Sequence, residues 1–403
     1  MRLAADFILR AKDKRVAIAL GVVIALLCAL IIAGGPKHNW DMIPYVGCAY
    51  DLIGDGDPAA LQAQTYRTVQ QATSADVYRE LTDPVGWANQ YRPTMARDPD
   101  AFADTMPVYC FKIAYTGAIA ALASLGVDPV GASFWISAIC ALATMVILGV
   151  WLMRRLGRVA PVILALAVFG GLFQTARYST PDAMLALTIV GGLISFAQGR
   201  DRLAACLFTL ALLVRLDAII YLGLYLALWW IAILRPPLSA GQGAFARSMI
   251  LPGVFGITGL IIYGAIQAAF DPPGYAAVFV HSFIANIVYL GSANPPLDIA
   301  TYFDVLGQRG LDVLSRGIKL PGLIGLSLLG LVMAWRGGDV QARRCAMAAG
   351  LGLVAMTVHF IIFPWFSTRY YAGHLAMMTA GSLVVLWPVL IRWWEGRKRR
   401  QGI

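Results

Sequence analysis

The sequence predicts an all-α polytopic membrane protein with about ten transmembrane helices and a helical first outer loop. Three observations carry this. Hydrophobic residues make up 59% of the 403 and charged residues only 13%, where a soluble domain carries about a quarter charged. Mean hydropathy is +0.69, and runs of about 20 apolar residues recur, long enough to cross a hydrocarbon core of ~30 Å. The runs do not alternate, which excludes a β-barrel, and backbone groups inside a bilayer must pair internally, which selects helices. Residues 1–403 read as a single transmembrane domain.

The first span, Val16–Gly34, follows Arg2, Arg10, Lys12, Lys14 and Arg15. It is longer than a signal-peptide core and no small-x-small cleavage site follows, so it reads as a retained span with a cytoplasmic N-terminus. The further spans are Val130–Met153, Val159–Thr175, Pro181–Gln198, Leu203–Val214, Ala218–Leu234, Ser248–Phe270, Leu320–Trp335, Cys345–Phe363 and Ala372–Ile391. With the N-terminus inside, Arg154, Arg155 and Arg158 fall inside. So do Arg200 with Arg202, Arg235, Arg336 with Arg343 and Arg344, and the tail Arg397–Arg400. One-sided basic clusters are the positive-inside signature, and they place both termini in the cytoplasm. They also account for the net charge of +10 without nucleic acid, which would need a soluble basic surface. The uncleaved first span fits a bacterial inner membrane.

Two runs fit less simply. Tyr109–Leu125 is apolar but carries Lys112, and counting it as a span would reverse every later loop. It reads as a helix at the outer interface with its lysine near the headgroups. Leu203–Val214 is short for a span; it is tilted in a thinned region or continues past Arg215.

Residues 35–129 then form the first outer loop, with eleven acids against six bases, and 271–319 the second, rich in Pro and aromatics. A loop as long as the first is usually functional. Ala59–Leu81 has helical spacing within it. Cys28, Cys140, Cys206 and Cys345 sit in or near spans and pack as small hydrophobes. Cys48 and Cys110 share the first loop; they pair if that side is oxidising and stay free thiols otherwise. No Cys or His spacing matches a metal site, so a divalent metal is unsupported and no cofactor is certain.

Ionisable residues at the outer ends of spans are costly unless functional or paired. Asp41 stands just beyond the first span, with Trp40 and Tyr45 as interfacial aromatics. It reads as a general base on an acceptor hydroxyl, or as a helix N-cap. In Arg177-Tyr178-Ser179-Thr180-Pro181-Asp182, Thr180 reads as a cap with Pro181 and Asp182 in the first turn; Arg177 is not accounted for. Arg215-Leu216-Asp217 either neutralises itself or turns Arg215 to an anion. Arg369-Tyr370 opens the last span. Three arginines on one face suit a phosphate, because each guanidinium donates two parallel hydrogen bonds; local ion pairs at helix ends are the alternative. His38 and His281 are the other outer side chains of interest.

These residues resemble the C-type (GT-C) glycosyltransferases, in four short motifs kept in order on one face. They are Asn39-Trp40-Asp41 with Tyr45, Thr180-Pro181-Asp182-Ala183, Arg215-Leu216-Asp217 and Arg369-Tyr370, with Tyr109–Leu125 similar to a helix of that family's first loop. The resemblance spans Val16 to about Ile391. It implies a sugar donor carried on a polyprenyl phosphate, a glycan, lipid or protein acceptor, and surrounding membrane lipids. It also implies Asp41 as catalytic base and Arg369 or Arg215 on the phosphate. Many members pair that aspartate with a second acid; here Met42 follows, and no soluble C-terminal domain appears. The rival readings are a transporter or lipid flippase, a polysaccharide polymerase or ligase, and a purely structural membrane protein. An enzyme requires Asp41, Arg177 and Arg369 to share one outer cavity, whereas a transporter clusters its charges at mid-membrane.

Overall fold

The computed structural model describes residues 2–54, 57–84, 90–234, 242–315, 319–337 and 339–401, without the side chains of 2–13, 231–234, 242–249, 319, 337, 395, 396 and 398–401. Asp55 of the acidic loop and Arg235 of the basic clusters lie outside the described residues, as does part of each loop.

Among the described residues there is no strand, only one isolated parallel bridge between Lys37 and Tyr178. Five helical stretches are long and apolar enough to cross a membrane: Lys14–Gly34, Pro129–Thr175, Ile250–Phe270, Val340–Ile362 and Ala372–Trp394. Two bent pairs, Pro99–Cys110 with Ile113–Ser124 and Ile299–Ser315 with Leu320–Arg336, raise this to seven if each is one span. Asp182–Ala197 and Leu216–Trp230 are apolar but shorter. Only 22% of the first stretch and 17% of Ile250–Phe270 is buried, and Ile18, Leu26, Ile257 and Ile261 stand more than half bare. A helix apolar all round and left unburied suits acyl chains, not water, so the chain fits a helical membrane protein.

In chain order, α1 is Arg2–Gly34. Seven short helices follow: α2 Met42–Asp51, α3 Pro58–Ala72, α4 Ala75–Thr82, α5 Tyr91–Arg97, α6 Pro99–Thr105, α7 Pro107–Cys110 and α8 Ile113–Ser124. The long α9 (Pro129–Leu156) leads into α10 (Ala160–Ala167) and α11 (Phe173–Thr175). Then come α12 (Asp182–Ala197), α13 (Asp201–Val214), α14 (Ile219–Leu234) and α15 (Gln242–Phe270). α16 (Tyr275–Phe283), α17 (Ile299–Ser315), α18 (Lys319–Gly337), α19 (Val340–Ile362) and α20 (Ala372–Gln401) complete the chain.

α12 is the centre of the bundle and packs on α9, α13, α19 and α20. Small residues let these helices approach closely: a Cβ on Gly373 of α20 would stand 3.1 Å from Ala186 Cα, and one on Gly192 2.7 Å from the Phe208 ring. Pro129–Thr175 is continuous in sequence but folds back on itself. Gly157 takes φ +56° after Leu156, and Leu164 packs where a Cβ on Gly149 would stand. Without that left-handed glycine the stretch would run straight on.

The described residues between 35 and 128 form a helical layer with its own apolar core, including Met42, Ile43, Val69, Met95 and Phe102. Three details differ from the sequence reading. Ala59–Leu81 is two helices, because Ser74 is extended and caps a new one by accepting from Val77 N. The predicted helix over Tyr109–Leu125 starts only at Ile113; the chain turns by 112° between α7 and α8, with Lys112 at the corner. α13 does not continue past Arg215, whose backbone is extended at φ −156°.

Cys48 of α2 and Cys110 of α7 are joined by a disulfide across 62 residues. Residues 284–298 are tied to this layer by carboxylates. Asp104 accepts from Gly291 N at 2.6 Å and Ser292 N at 3.0 Å, and Asp98 accepts from Tyr289 O–H at 2.6 Å. That last bond, with backbone N–H donors, holds the Asp98 carboxyl below its usual range. The His281 ring packs at a tilt against Tyr91, centroids 4.8 Å apart, and burial lowers its pKa.

Replacing Cys48 and Cys110 together by serine opens the loop of 62 residues, with an expected loss of about 4 kcal/mol of unfolding free energy. Thermal unfolding in detergent, with and without reductant, measures it: wild type plus reductant should match the double variant.

Candidate functional site

Four separate stretches of chain converge on one network of charges. Asp41 immediately precedes α2, yet its side chain makes no cap bond there. Its Oδ2 instead accepts from Arg369 Nη2 at 2.8 Å and from Asn39 Nδ2 at 2.9 Å. The N-cap alternative for Asp41 is therefore overturned: a guanidinium outbids the backbone N–H groups of the helix. Among the described residues, Asp41 Oδ1 accepts no hydrogen bond.

Arg369 lies before α20 and is held from several sides. It donates to Tyr370 O–H at 2.9 Å, lies over the rings of Tyr370 and Tyr178, and approaches Asp182 Oδ2 at 3.7 Å. The close contact of Gly373 with Ala186 brings these two segments together, since Asp182 lies one turn before Ala186 on α12 and Arg369 stands in the turn four residues before Gly373. The turn itself is fixed by Thr368, whose Oγ1 donates to Gln174 at 2.7 Å. Beneath it a π-type turn at Val168–Leu172 brings Gly171, at φ +148°, so close that a Cβ would stand 2.5 Å from Thr368 O. Only glycine fits there.

Asp182 opens α12. The expected Thr180 cap is absent: Thr180 Oγ1 donates to Asp182 Oδ2 at 2.8 Å, and the side chain makes no backbone cap bond. Asp182 Oδ1 takes Arg215 Nη1 at 2.6 Å. Arg215 also grips Asp217 with both edges of its fork, Nε to Oδ1 at 3.0 Å and Nη2 to Oδ2 at 2.8 Å, and lies 4.9 Å over the Tyr370 ring. The two readings of Arg215-Leu216-Asp217 meet here, because the pair neutralises itself and still reaches a third residue.

The sequence reading missed His359. From the last turn of α19 its Nε2 donates to Asp217 Oδ2 at 2.9 Å, while Nδ1 accepts from Tyr371 O–H at 2.8 Å. One tautomer serves both bonds. The only sequence signal was a histidine inside an apolar run.

The structure therefore brings together Asp41, Asp182, Asp217, Arg215, Arg369 and Tyr370. Tyr45 borders them, buried edge-on against Tyr109 and Tyr115. Trp40 stays outside the network, packed on Tyr91 and Tyr109. Arg177 is separate: its guanidinium donates to the Gly34 and Gly35 carbonyls, at 3.1 Å to the latter, and so closes the end of α1. His38 is also apart, beside Met42 sulfur.

Exposure sorts the three carboxylates. Asp182 keeps 2% of its side-chain surface, whereas Asp41 and Asp217 keep 27% each. Only the latter two can meet a ligand without rearrangement. Cavities of about 510 and 250 Å³ lie elsewhere, the smaller lined by Arg309, Asp312 and Pro364–Ser367, just before the Arg369 turn. Among the described residues no group of His, Cys, Asp or Glu is arranged to hold a metal ion. No protein-family profile, curated protein or solved structure matches the chain.

Arg215→Gln leaves Asp182 and Asp217 without their shared cation, with an expected loss of about 3–5 kcal/mol. Arg215→Lys should recover only part, because an ammonium cannot replace the bidentate fork. Thermal unfolding of the three proteins in one detergent measures the order.

Proposed function

We propose that this chain is a membrane glycosyltransferase of the C type. It moves a sugar from a polyprenyl-phosphate-linked donor to an acceptor at the outer face of a bacterial inner membrane, with Asp41 as the general base. In this reading the chain crosses the bilayer about ten times, with both termini cytoplasmic and residues 35–129 and 271–319 outside. The hairpin at Gly157 supports counting Pro129–Thr175 as two crossings.

The observation that carries the reading is the convergence itself. Asp41, Asp182, the Arg215–Asp217 pair and Arg369 come from four separate stretches of sequence, yet ion pairs of 2.6–2.8 Å form Asp41–Arg369 and Asp182–Arg215–Asp217, and a looser 3.7 Å approach of Arg369 to Asp182 joins the two groups. Charges gathered at helix ends around a partly open carboxylate suit a reaction site, but the shared cavity expected of Asp41, Arg177 and Arg369 is not met, because Arg177 is spent on the Gly34 and Gly35 carbonyls. Arg177, once placed with the phosphate group, has a sufficient structural duty and leaves the proposal.

The chemistry is a single displacement. Asp41 Oδ1, unengaged, accepts the proton of an acceptor hydroxyl. That oxygen bonds the anomeric carbon, the carbon–phosphate-oxygen bond breaks, and the polyprenyl phosphate leaves with the electron pair. The charge of the leaving phosphate is met by cationic side chains of the site, and Arg215 or Arg369 contributes once the phosphate takes the place of one of its carboxylates. Asp182 is sealed and serves to hold both arginines; Asp217 is the fallback base.

The test is sugar transfer in lipid nanodiscs across a panel of polyprenyl-phosphate sugars and acceptors. Asp41→Asn should lower turnover at least ~100-fold, a typical general-base contribution, while Arg177→Gln retains the wild-type rate per folded protein. Full turnover by Asp41→Asn removes Asp41 as the base and points to Asp217.

A further inference from the structure

Lys112 occupies the corner between α7 and α8, two residues after the Cys110 disulfide. Its ammonium lies 4.6 Å from the Tyr109 ring centroid and 5.0 Å from those of Tyr45 and Phe111. Its one hydrogen bond among the described residues goes to Val108 O at 3.1 Å. Two of its three N–H donors are therefore unspent. No carboxylate among the described residues lies within ion-pair distance of it. The sequence reading left this lysine near the headgroups; the structure adds what the side chain packs on. It is half-buried on an aromatic floor, within electrostatic reach of Asp41, Asp182, Arg215 and Asp217.

The contrast with the arginines is the point. Arg215 is engaged by Asp182 and Asp217, and Arg369 by Asp41 and Tyr370. A phosphate reaching either must displace a carboxylate. Three carboxylates against two guanidinium groups also leave the network one negative charge in excess, which repels an anion. Burial and the nearby Arg215 cation lower the Lys112 pKa to about 7, so Lys112 offsets that excess in its protonated form, which an incoming anion favours, and its donors stay free. Aromatic faces hold a cation without neutralising its charge, so a strongly hydrated ammonium can wait there for an anion.

We propose that Lys112 is the primary anion-binding residue of the site and seats a phosphate monoester through its two unspent N–H donors. The assignment rests on the glycosyltransferase reading for the identity of that ester as a lipid carrier's phosphate. The shared chemistry is the phosphate, and a lipid-borne or a free one is told apart by the probe.

The experiment measures binding of decaprenyl phosphate and, separately, inorganic phosphate to the full chain in zwitterionic nanodiscs, read by thermal shift. Wild type should bind decaprenyl phosphate, and Lys112→Gln should weaken it at least 10-fold. Lys112→Arg should keep it within 3-fold, as should Lys37→Gln, which alters an exposed lysine over Tyr178. Saturation by inorganic phosphate with the same Lys112 dependence supports the seat and assigns it to the phosphate alone. Equal binding by wild type and Lys112→Gln overturns the assignment and leaves the enzyme reading standing; no binding of decaprenyl phosphate by wild type overturns that reading too. If Lys112→Gln does not fold, reductive methylation of wild type read by mass spectrometry decides. Decaprenyl phosphate should protect Lys112 from labelling, and unchanged labelling at saturating lipid sinks the proposal.

Discussion

Asp182 is the carboxylate on which the site hangs. It is sealed from solvent, takes Arg215 on one oxygen and Thr180 on the other, and faces Arg369 across 3.7 Å. A buried carboxylate without such partners is expensive. The partners must therefore arrive, and each drags an element with it: Arg215 the break between α13 and α14, Arg369 the turn before α20. Those elements in turn carry Asp217 and Tyr370 and hold Asp41. The network ranks its own members by exposure, with the structural acid at the centre and the open acids at the two ends.

The bundle is shaped to serve this arrangement. Glycines at 171, 192 and 373 remove the side chains that would keep helices apart, and the π-type turn below Thr368 sets where Arg369 points. Helix ends are where a membrane protein can gather charge most cheaply, since the hydrocarbon forbids it at the middle. The 35–128 layer closes over one end, tied by its disulfide and by the Asp98 and Asp104 bonds to residues 289–292.

The all-helical, apolar character of the fold was legible because hydrophobic run length is a one-dimensional signal. Each apolar run became helix, but only five to seven stretches reach spanning length, since α12 and α13 are short and Pro129–Thr175 turns within itself at Gly157. Asp41, Asp182, Arg215, Asp217 and Arg369 were legible as charges in apolar surroundings. Their pairing was not, because it depends on which helix ends meet. Arg177 looked identical to Arg369 in sequence, an arginine before a tyrosine, and only the carbonyl ends of α1 distinguish it. His359 was passed over, and Lys112 was noticed but placed at the headgroups, because a lone histidine or lysine in an apolar run has no local partner to mark its role.

The measurement that bears most directly on the account is a cryo-EM structure in nanodiscs with a polyprenyl-phosphate monosaccharide bound. The account predicts the phosphate within hydrogen-bond reach of Lys112 or the two network arginines, with the anomeric carbon turned toward Asp41. Donor density elsewhere, with the Asp41–Arg369–Asp182–Arg215 chain undisturbed and no path from it to the sugar, would contradict it.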